Sequence, residues 1–313
     1  MASAPPTQTI ISLRAGVTQR SVTATPDTLA DVTRFLRNLM YSAFTAAFAL
    51  SLFEVALRVS GWPDPGIYAG DPASLWTLRV SMPARQVPFR ERNTTFSVRT
   101  NSFGYRGGEP SPGAILCLGD STTFGWGVEE DEAWPMVLGH LLGERTVNGG
   151  VPGYSTVQAL ATIDHALTLK PRLVLLAYLV RDAELAQVAD ADRRPGPARP
   201  DFAIARAIRA LRGGQTNRPG TVRRVSPTAY LANIRTLVAR IRAAGANVRV
   251  LAFPMQTEPT PYLDALRALD GDVPVLTPIL PAAAYFPEDP IHLTAKGNAD
   301  LANLLAGKLR GSQ

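Results

Sequence analysis

The chain has 313 residues, 46% hydrophobic and 19% charged, a composition that builds a core and excludes a disordered polymer. One cysteine, Cys117, excludes an internal disulfide; no Cys/His grouping has metal-ligand spacing, so neither a zinc site nor another cofactor is expected. The net charge of +6 is local. Between Arg193 and Arg224, nine arginines (193, 194, 199, 206, 209, 212, 218, 223, 224) face one acid, Asp201, without aromatic interleaving or a nucleic-acid motif. Nucleic acid is therefore not an expected partner.

In chain order, residues 1–33 are rich in Ala, Thr, Ser and Pro and read as a flexible tail. Arg34 and Arg37 precede an uncharged run from Leu39 to Phe53. Alone it is shorter than the roughly 20 residues that cross a bilayer. Extended through Val59, with Arg58 snorkelling, it is long enough. The segment 34–60 is expected to be a membrane anchor rather than a buried helix, since it is apolar on all faces. A signal peptide is the other reading, but no small-x-small cleavage site follows closely. The absence of Lys or Arg between Arg58 and Arg79 puts the N-terminus in the cytoplasm and the main domain in the periplasm or exterior.

Residues 61–113, punctuated by Pro, Gly and Arg, predict short lead-in strands and turns. From 114 to 310 the pattern becomes regular, with strands at 114–118, 145–148, 173–180, 248–253 and 273–276. Helices fall between and after them. Ser226 and Pro227 mark one helix start. This alternation predicts an α/β fold: a mostly parallel five-stranded sheet with helices on both faces, interrupted by a basic insert at 190–226. Such sheets gather reacting groups at the carboxyl ends of their strands.

Two segments there carry chemistry. The first strand ends in Gly119-Asp120-Ser121-Thr122-Thr123-Phe124-Gly125, which puts a hydroxyl on the loop after a buried strand. Asp289-Pro290-Ile291-His292 follows the last strand and supplies a carboxylate three residues before an imidazole. A serine nucleophile needs a base, and the base needs a carboxylate to fix its tautomer. Of the three histidines, His140 and His165 sit in helical patterns; His292 alone has a loop carboxylate at this spacing.

In these segments the chain resembles the SGNH (GDSL-type) hydrolases, of a membrane-anchored bacterial type. Residues 115–125 match the family's first block and 289–297 its last. Val147-Asn148-Gly149-Gly150-Val151-Pro152-Gly153 looks like its second, and Asn101-Ser102-Phe103-Gly104-Tyr105-Arg106-Gly107 is similar to the usual lead-in. The resemblance, over roughly 101–309, implies a flavodoxin-like three-layer α/β/α domain with esterase or deacetylase activity. It implies Ser121 as nucleophile, His292 as base, Asp289 as its orienter, and the N–H groups of Ser121 and Gly150 as oxyanion donors. The third block departs from the pattern. Leu179 stands for its glycine and Arg181 for its asparagine, with Asp182 retained. Arg181 then replaces the lost donor, binds an anionic substrate such as an acidic sugar, pairs with an acid, or marks an impaired site; the sequence leaves these open. The expected partner is an acylated glycan or lipid. An acyltransferase using the same triad and a non-catalytic, membrane-tethered binding protein are the alternatives. Within the insert, 201–212 reads as an amphipathic basic helix with Phe202, Ala205, Ile208 and Leu211 on one side. It is expected to be a plain surface helix, with contact to anionic lipid or an acidic polymer as the alternative.

Overall fold

A computed structural model describes residues 26–89, 92–194, 201–211, 220–257, 259–269 and 271–311. Residues 1–25 of the expected tail, and Arg199, Arg212 and Arg218 of the insert, lie outside the described residues. The chain divides into two compact units, Met1–Ser60 and Gly61–Gln313.

In the first unit, helix α1 spans Pro26–Ser60, starting eight residues before the expected anchor. Proline suits a first helical position, and isolated polar residues such as Asp31 are no barrier to continuing the helix. Large apolar side chains including Phe35, Met40, Phe44 and Phe48 are exposed along it. The stretch Leu29–Ser60 is long and apolar enough to cross a membrane, which makes it a candidate span or signal sequence.

The second unit opens with two antiparallel pairs, β1 (Tyr68–Asp71) with β2 (Leu75–Leu78) and β3 (Arg85–Phe89) with β4 (Thr94–Val98). The main sheet follows: β5 (Ile115–Gly119), β6 (Thr146–Gly150), β7 (Leu173–Ala177), β10 (Asn247–Leu251) and β11 (Val275–Leu276). Its order is β11-β10-β7-β5-β6, every pair parallel. The sequence predicts β7 to run on to Val180, but Ala177 pairs with Gly119, the last residue of β5, so the ladder ends there.

Side-chain alternation along the strands makes the three layers. Ile115, Cys117, Leu173 and Leu175 pack with Trp134 and Leu138 of α3 (Trp134–Leu142) and Leu301 and Leu305 of α8 (Ala295–Arg310). Leu116, Leu118, Val174 and Leu176 pack on the opposite face. Their partners are Ile163 of α4 (Thr156–Leu167), Ile234 and Leu237 of α6 (Pro227–Ala243) and Leu266 of α7 (Thr260–Arg267). The lead-in residues Leu78, Phe89, Phe96 and Val98 join this second core. Cys117 is wholly buried, and burial pushes its thiol well up, so it is a small core residue.

The insert adds a short antiparallel pair, β8 (Leu185–Ala186) with β9 (Val222–Arg223), and α5 (Ala203–Leu211). The expected apolar stripe of α5 does not face inward. Ala203 and Ala207, one turn apart and small enough for close packing, are buried, whereas Phe202, Ile208 and Leu211 are exposed. Asp201 holds the start of this segment through Arg79 and Arg206, each at 2.8 Å.

Candidate active site

The site lies at the carboxyl edge of the sheet. Directly after β5, Asp120 caps the single-turn helix α2 (Ser121–Phe124): its Oδ1 accepts from the Thr122 N–H at 2.8 Å and the Thr122 hydroxyl at 2.7 Å. Ser121 opens this helix, so its own N–H has no intrahelical partner. The other end of α2 is held by Arg106 of the lead-in. This nearly wholly buried side chain donates to the carbonyls of Phe124 (2.9 Å), Gly125 (2.8 Å), Val128 (2.7 Å) and Ser97 (2.8 Å). It also lies over the Phe124 ring at 4.8 Å. Burial pulls the guanidinium down to about 10, partly offset by nearby Glu130, and leaves it cationic at neutral pH.

Asp289 and His292 occupy the loop before α8, which is pinned on itself. The Phe286 N–H donates to the His292 carbonyl at 3.0 Å, Asp289 N–H to Phe286 at 3.1 Å and Thr294 N–H to Ala284 at 2.9 Å. Within that frame His292 Nδ1 is 2.7 Å from Asp289 Oδ2, and His292 Nε2 is 2.9 Å from Ser121 Oγ. The Asp289 Oδ1 accepts from the N–H groups of Ile291 and His292, both at 3.0 Å. Burial alone would raise this carboxyl; the hydrogen bonds from His292 and Ile291 win and hold it below the usual carboxylate range. A carboxylate fixed in this way keeps the proton on Nδ1 and leaves Nε2 free to accept from the serine. By contrast, His140 and His165 lie on exposed helix positions, His165 stacked on Phe103.

Arg181 stands beyond β7, with its Nη2 3.3 Å from Ser121 Oγ and its Nη1 3.2 Å from Glu184 Oε2. One side chain thus stands beside the serine and is paired with an acid. Asp182 is turned away and wholly buried, accepting from the Thr156 N–H at the start of α4 at 3.1 Å.

Gly150 differs from expectation. Its N–H donates to Asn148 Oδ1 at 3.1 Å, and it pairs in register with Gly119, inside the strand. A Cβ there would collide with the Phe124 backbone, so this glycine lets α2 sit against β6. The glycine that lines the cleft is Gly153, at φ +88°, whose N–H has no partner among the described residues. In the sequence only the Pro152-Gly153 turn signal sets it apart from Gly149 and Gly150. The cleft measures about 680 Å³ and is also lined by Tyr68, Phe89, Arg92 and Trp126, none of them singled out by the sequence motifs. Desolvation pushes the Tyr68 hydroxyl up to about 12, with Arg181 pulling the other way.

Burial raises the Asp182 carboxyl to about 7 against the pull of its Thr156 hydrogen bonds, with Asp120 adding to the rise and Arg224 opposing it. The folded state thus holds this proton more tightly than the unfolded chain. The associated stability is complete below the ordinary aspartate range and is lost as pH rises through about 7. Between pH 5 and pH 8 the melting temperature of the full chain in detergent should therefore fall more than that of an Asp182→Asn variant. Equal pH slopes in the two would show that Asp182 has no raised pKa.

A serine, imidazole and carboxylate in hydrogen-bonded series at the carboxyl edge of a parallel sheet are the equipment of a serine-type acyl hydrolase. The chain belongs to the GDSL-like lipase/acylhydrolase family, whose model matches residues 117–299, and is a carboxylic ester hydrolase. Among curated proteins none matches. Solved structures similar to it include the psychrotrophic esterase EstA of Pseudoalteromonas sp., at 15% identity and TM-score 0.45 over 64% of this chain and 97% of that one. A GDSL-like lipase of Bacteroides thetaiotaomicron is 13% identical, with a TM-score of 0.43 over 64% and 89%. The acetylxylan esterase Axe2 of Geobacillus stearothermophilus is 16% identical, with a TM-score of 0.41 over 63% and 94%.

Proposed function

We propose that the protein removes an acyl group, an O-acetyl group by preference, from an extracytoplasmic glycan or lipid through an acyl-enzyme on Ser121. The observation that carries this reading is the position of Ser121 Oγ, 2.9 Å from His292 Nε2 and 3.3 Å from Arg181 Nη2. Ser121 Oγ attacks the acyl carbon while its proton passes to His292 Nε2, and Asp289 stabilises the imidazolium. The carbonyl oxygen becomes an oxyanion. Its donors are the N–H groups of Ser121 and Gly153 together with Arg181. A donor 3.3 Å from Oγ lies within reach of an oxygen bonded to the carbon that Oγ attacks. Collapse breaks the bond to the leaving alkoxide, which takes the proton from His292. Water then attacks the acyl-enzyme, again giving a proton to His292. The carboxylic acid leaves, and that proton returns to Ser121.

The cleft supports a substrate larger than the acyl group, since its volume falls in the range of ligand sites, about 300–1,000 Å³. Tyr68, Phe89 and Trp126 offer aromatic faces for a sugar ring or acyl chain, while Arg92 and Arg181 suit an acidic one. Reading α1 as a membrane anchor, with Arg34 and Arg37 toward its cytoplasmic end, supports an extracytoplasmic side.

A p-nitrophenyl phosphonate tests the reading. It should release one equivalent of p-nitrophenol and leave a phosphonyl adduct on the peptide containing Ser121, read by mass spectrometry. A folded chain that gains no adduct, or gains it elsewhere, overturns the proposal.

A further inference from the structure

The insert that carries the local positive charge also reaches back to the site. Arg224 follows β9 and is buried, yet every polar atom of its guanidinium is engaged. Its Nε donates to both Asp190 oxygens at 3.1 Å and its Nη2 to Asp190 Oδ2 at 2.7 Å. The same Nη2 donates to the Gly153 carbonyl at 2.7 Å, and Nη1 donates to Glu184 Oε2 at 3.2 Å. That Glu184 oxygen also accepts from Arg181 Nη1, again at 3.2 Å.

Two branches therefore leave Arg224. One runs through Glu184 to Arg181 and so to Ser121 Oγ. The other holds the turn that presents the Gly153 N–H to the cleft. Asp190 strengthens this second branch: its Oδ2 accepts from the hydroxyl of Ser155, the residue that caps α4 just beyond that turn. Wholly buried Asp190 balances the buried guanidinium, as an ion pair in this setting requires.

We infer that Arg224 is a positioning residue that fixes both proposed oxyanion donors outside α2, the Gly153 N–H through that residue's own carbonyl and the Arg181 guanidinium through Glu184. The inference rests on the hydrolase reading proposed above. Arginine is suited to the task because its rigid planar fork aims N–H donors at partners on several sides, whereas the three donors of lysine all leave one compact ammonium. Long, flexible Arg181 would otherwise sample many rotamers. Glu184 holds one end of its fork and leaves the other at the serine. The insert is then part of the catalytic apparatus and not a decoration on the domain surface.

The test uses the full chain in detergent micelles with p-nitrophenyl acetate, comparing wild type with Arg224→Lys, Glu184→Gln, Arg181→Ala and the two doubles with Arg181→Ala. Glu184 is half exposed, so E184Q should leave the melting temperature within about 2 °C of wild type. It should nevertheless lower kcat about 10-fold with KM nearly unchanged, because a misplaced donor weakens only the transition state. In the Arg181→Ala background E184Q should cost nothing further, whereas Arg224→Lys should still lower kcat through the Gly153 turn. A wild-type kcat for E184Q, or its full loss repeated on top of Arg181→Ala, overturns the inference even if Arg224→Lys fails to fold. So does an R224K/R181A double as active as R181A alone. A wild-type chain with no esterase turnover and no phosphonate adduct overturns the hydrolase reading, and this inference with it.

Discussion

Replacing Ser121 by alanine is expected to lower kcat for small acetyl esters by about 10⁴-fold or more, down to a background set by the remaining oxyanion donors. Among the described residues the Oγ is hydrogen-bonded to His292 and Arg181, neither of which needs it to stay folded. The melting temperature should therefore stay within about 2 °C of wild type. His292→Ala should cause a loss of the same order, since it removes the acceptor for the same proton. The double variant should be scarcely worse than either single one, because the groups act as a unit and their removal is not additive. Initial rates with p-nitrophenyl acetate, checked against denaturation curves of each variant, give the answer. Substantial activity in Ser121→Ala would mean that another group attacks the ester.

The second large effect falls on stability. Arg106→Met keeps much of the volume and apolar stem of the side chain but removes every donor to four backbone carbonyls. Of these the Phe124 carbonyl retains Asn148 Nδ2 at 3.1 Å and the Gly125 carbonyl the Val128 N–H at 3.4 Å. Two acceptors, the Ser97 and Val128 carbonyls, are left without a donor among the described residues, each costing about 1–3 kcal/mol. A total of about 2–6 kcal/mol is expected, which lowers the melting temperature of a unit this size by about 5–20 °C. Arg106→Lys should recover part of the loss at most, since a single ammonium cannot reach carbonyls spread around the fork. Esterase activity should fall as well, because the carbonyls released are those at the end of the helix that begins with Ser121. Thermal and urea unfolding of the full chain in detergent measure the effect, and a shift below about 2 °C would show that these carbonyls find other donors.

The parts of the molecule legible in the sequence are those whose signal is local. Five apolar runs separated by helical periods yield the parallel sheet, since each buried strand must be apolar on both faces. The Asp120-Ser121 turn and the Asp289/His292 loop stand out because a nucleophile and a base are needed at strand ends. What stayed hidden depends on distances between remote segments. Gly150 and Gly153 belong to one run, and only the pairing of Gly150 with Gly119 shows which glycine is still in the strand. The Arg224–Glu184 contact spans 40 residues and the Arg181–Ser121 contact spans 60, so no spacing rule reaches them. The start of α1 at Pro26 is hidden for another reason: its first turns carry no apolar period, although the helix runs through them. The inward face of α5 escaped because alanine carries little hydrophobic signal yet packs closely.

The crowding at Gly150 has an evolutionary consequence. A position whose N–H is taken up by Asn148 is closed to all nineteen side chains, because even a methyl group would press on the Phe124 backbone of α2, the helix that carries the serine. Lineages of this protein can therefore drift in cleft shape, insert and N-terminal helix while this one site stays bare. Glycine here is a record of assembly, and its persistence would say how the nucleophile is mounted and nothing about which ester it opens.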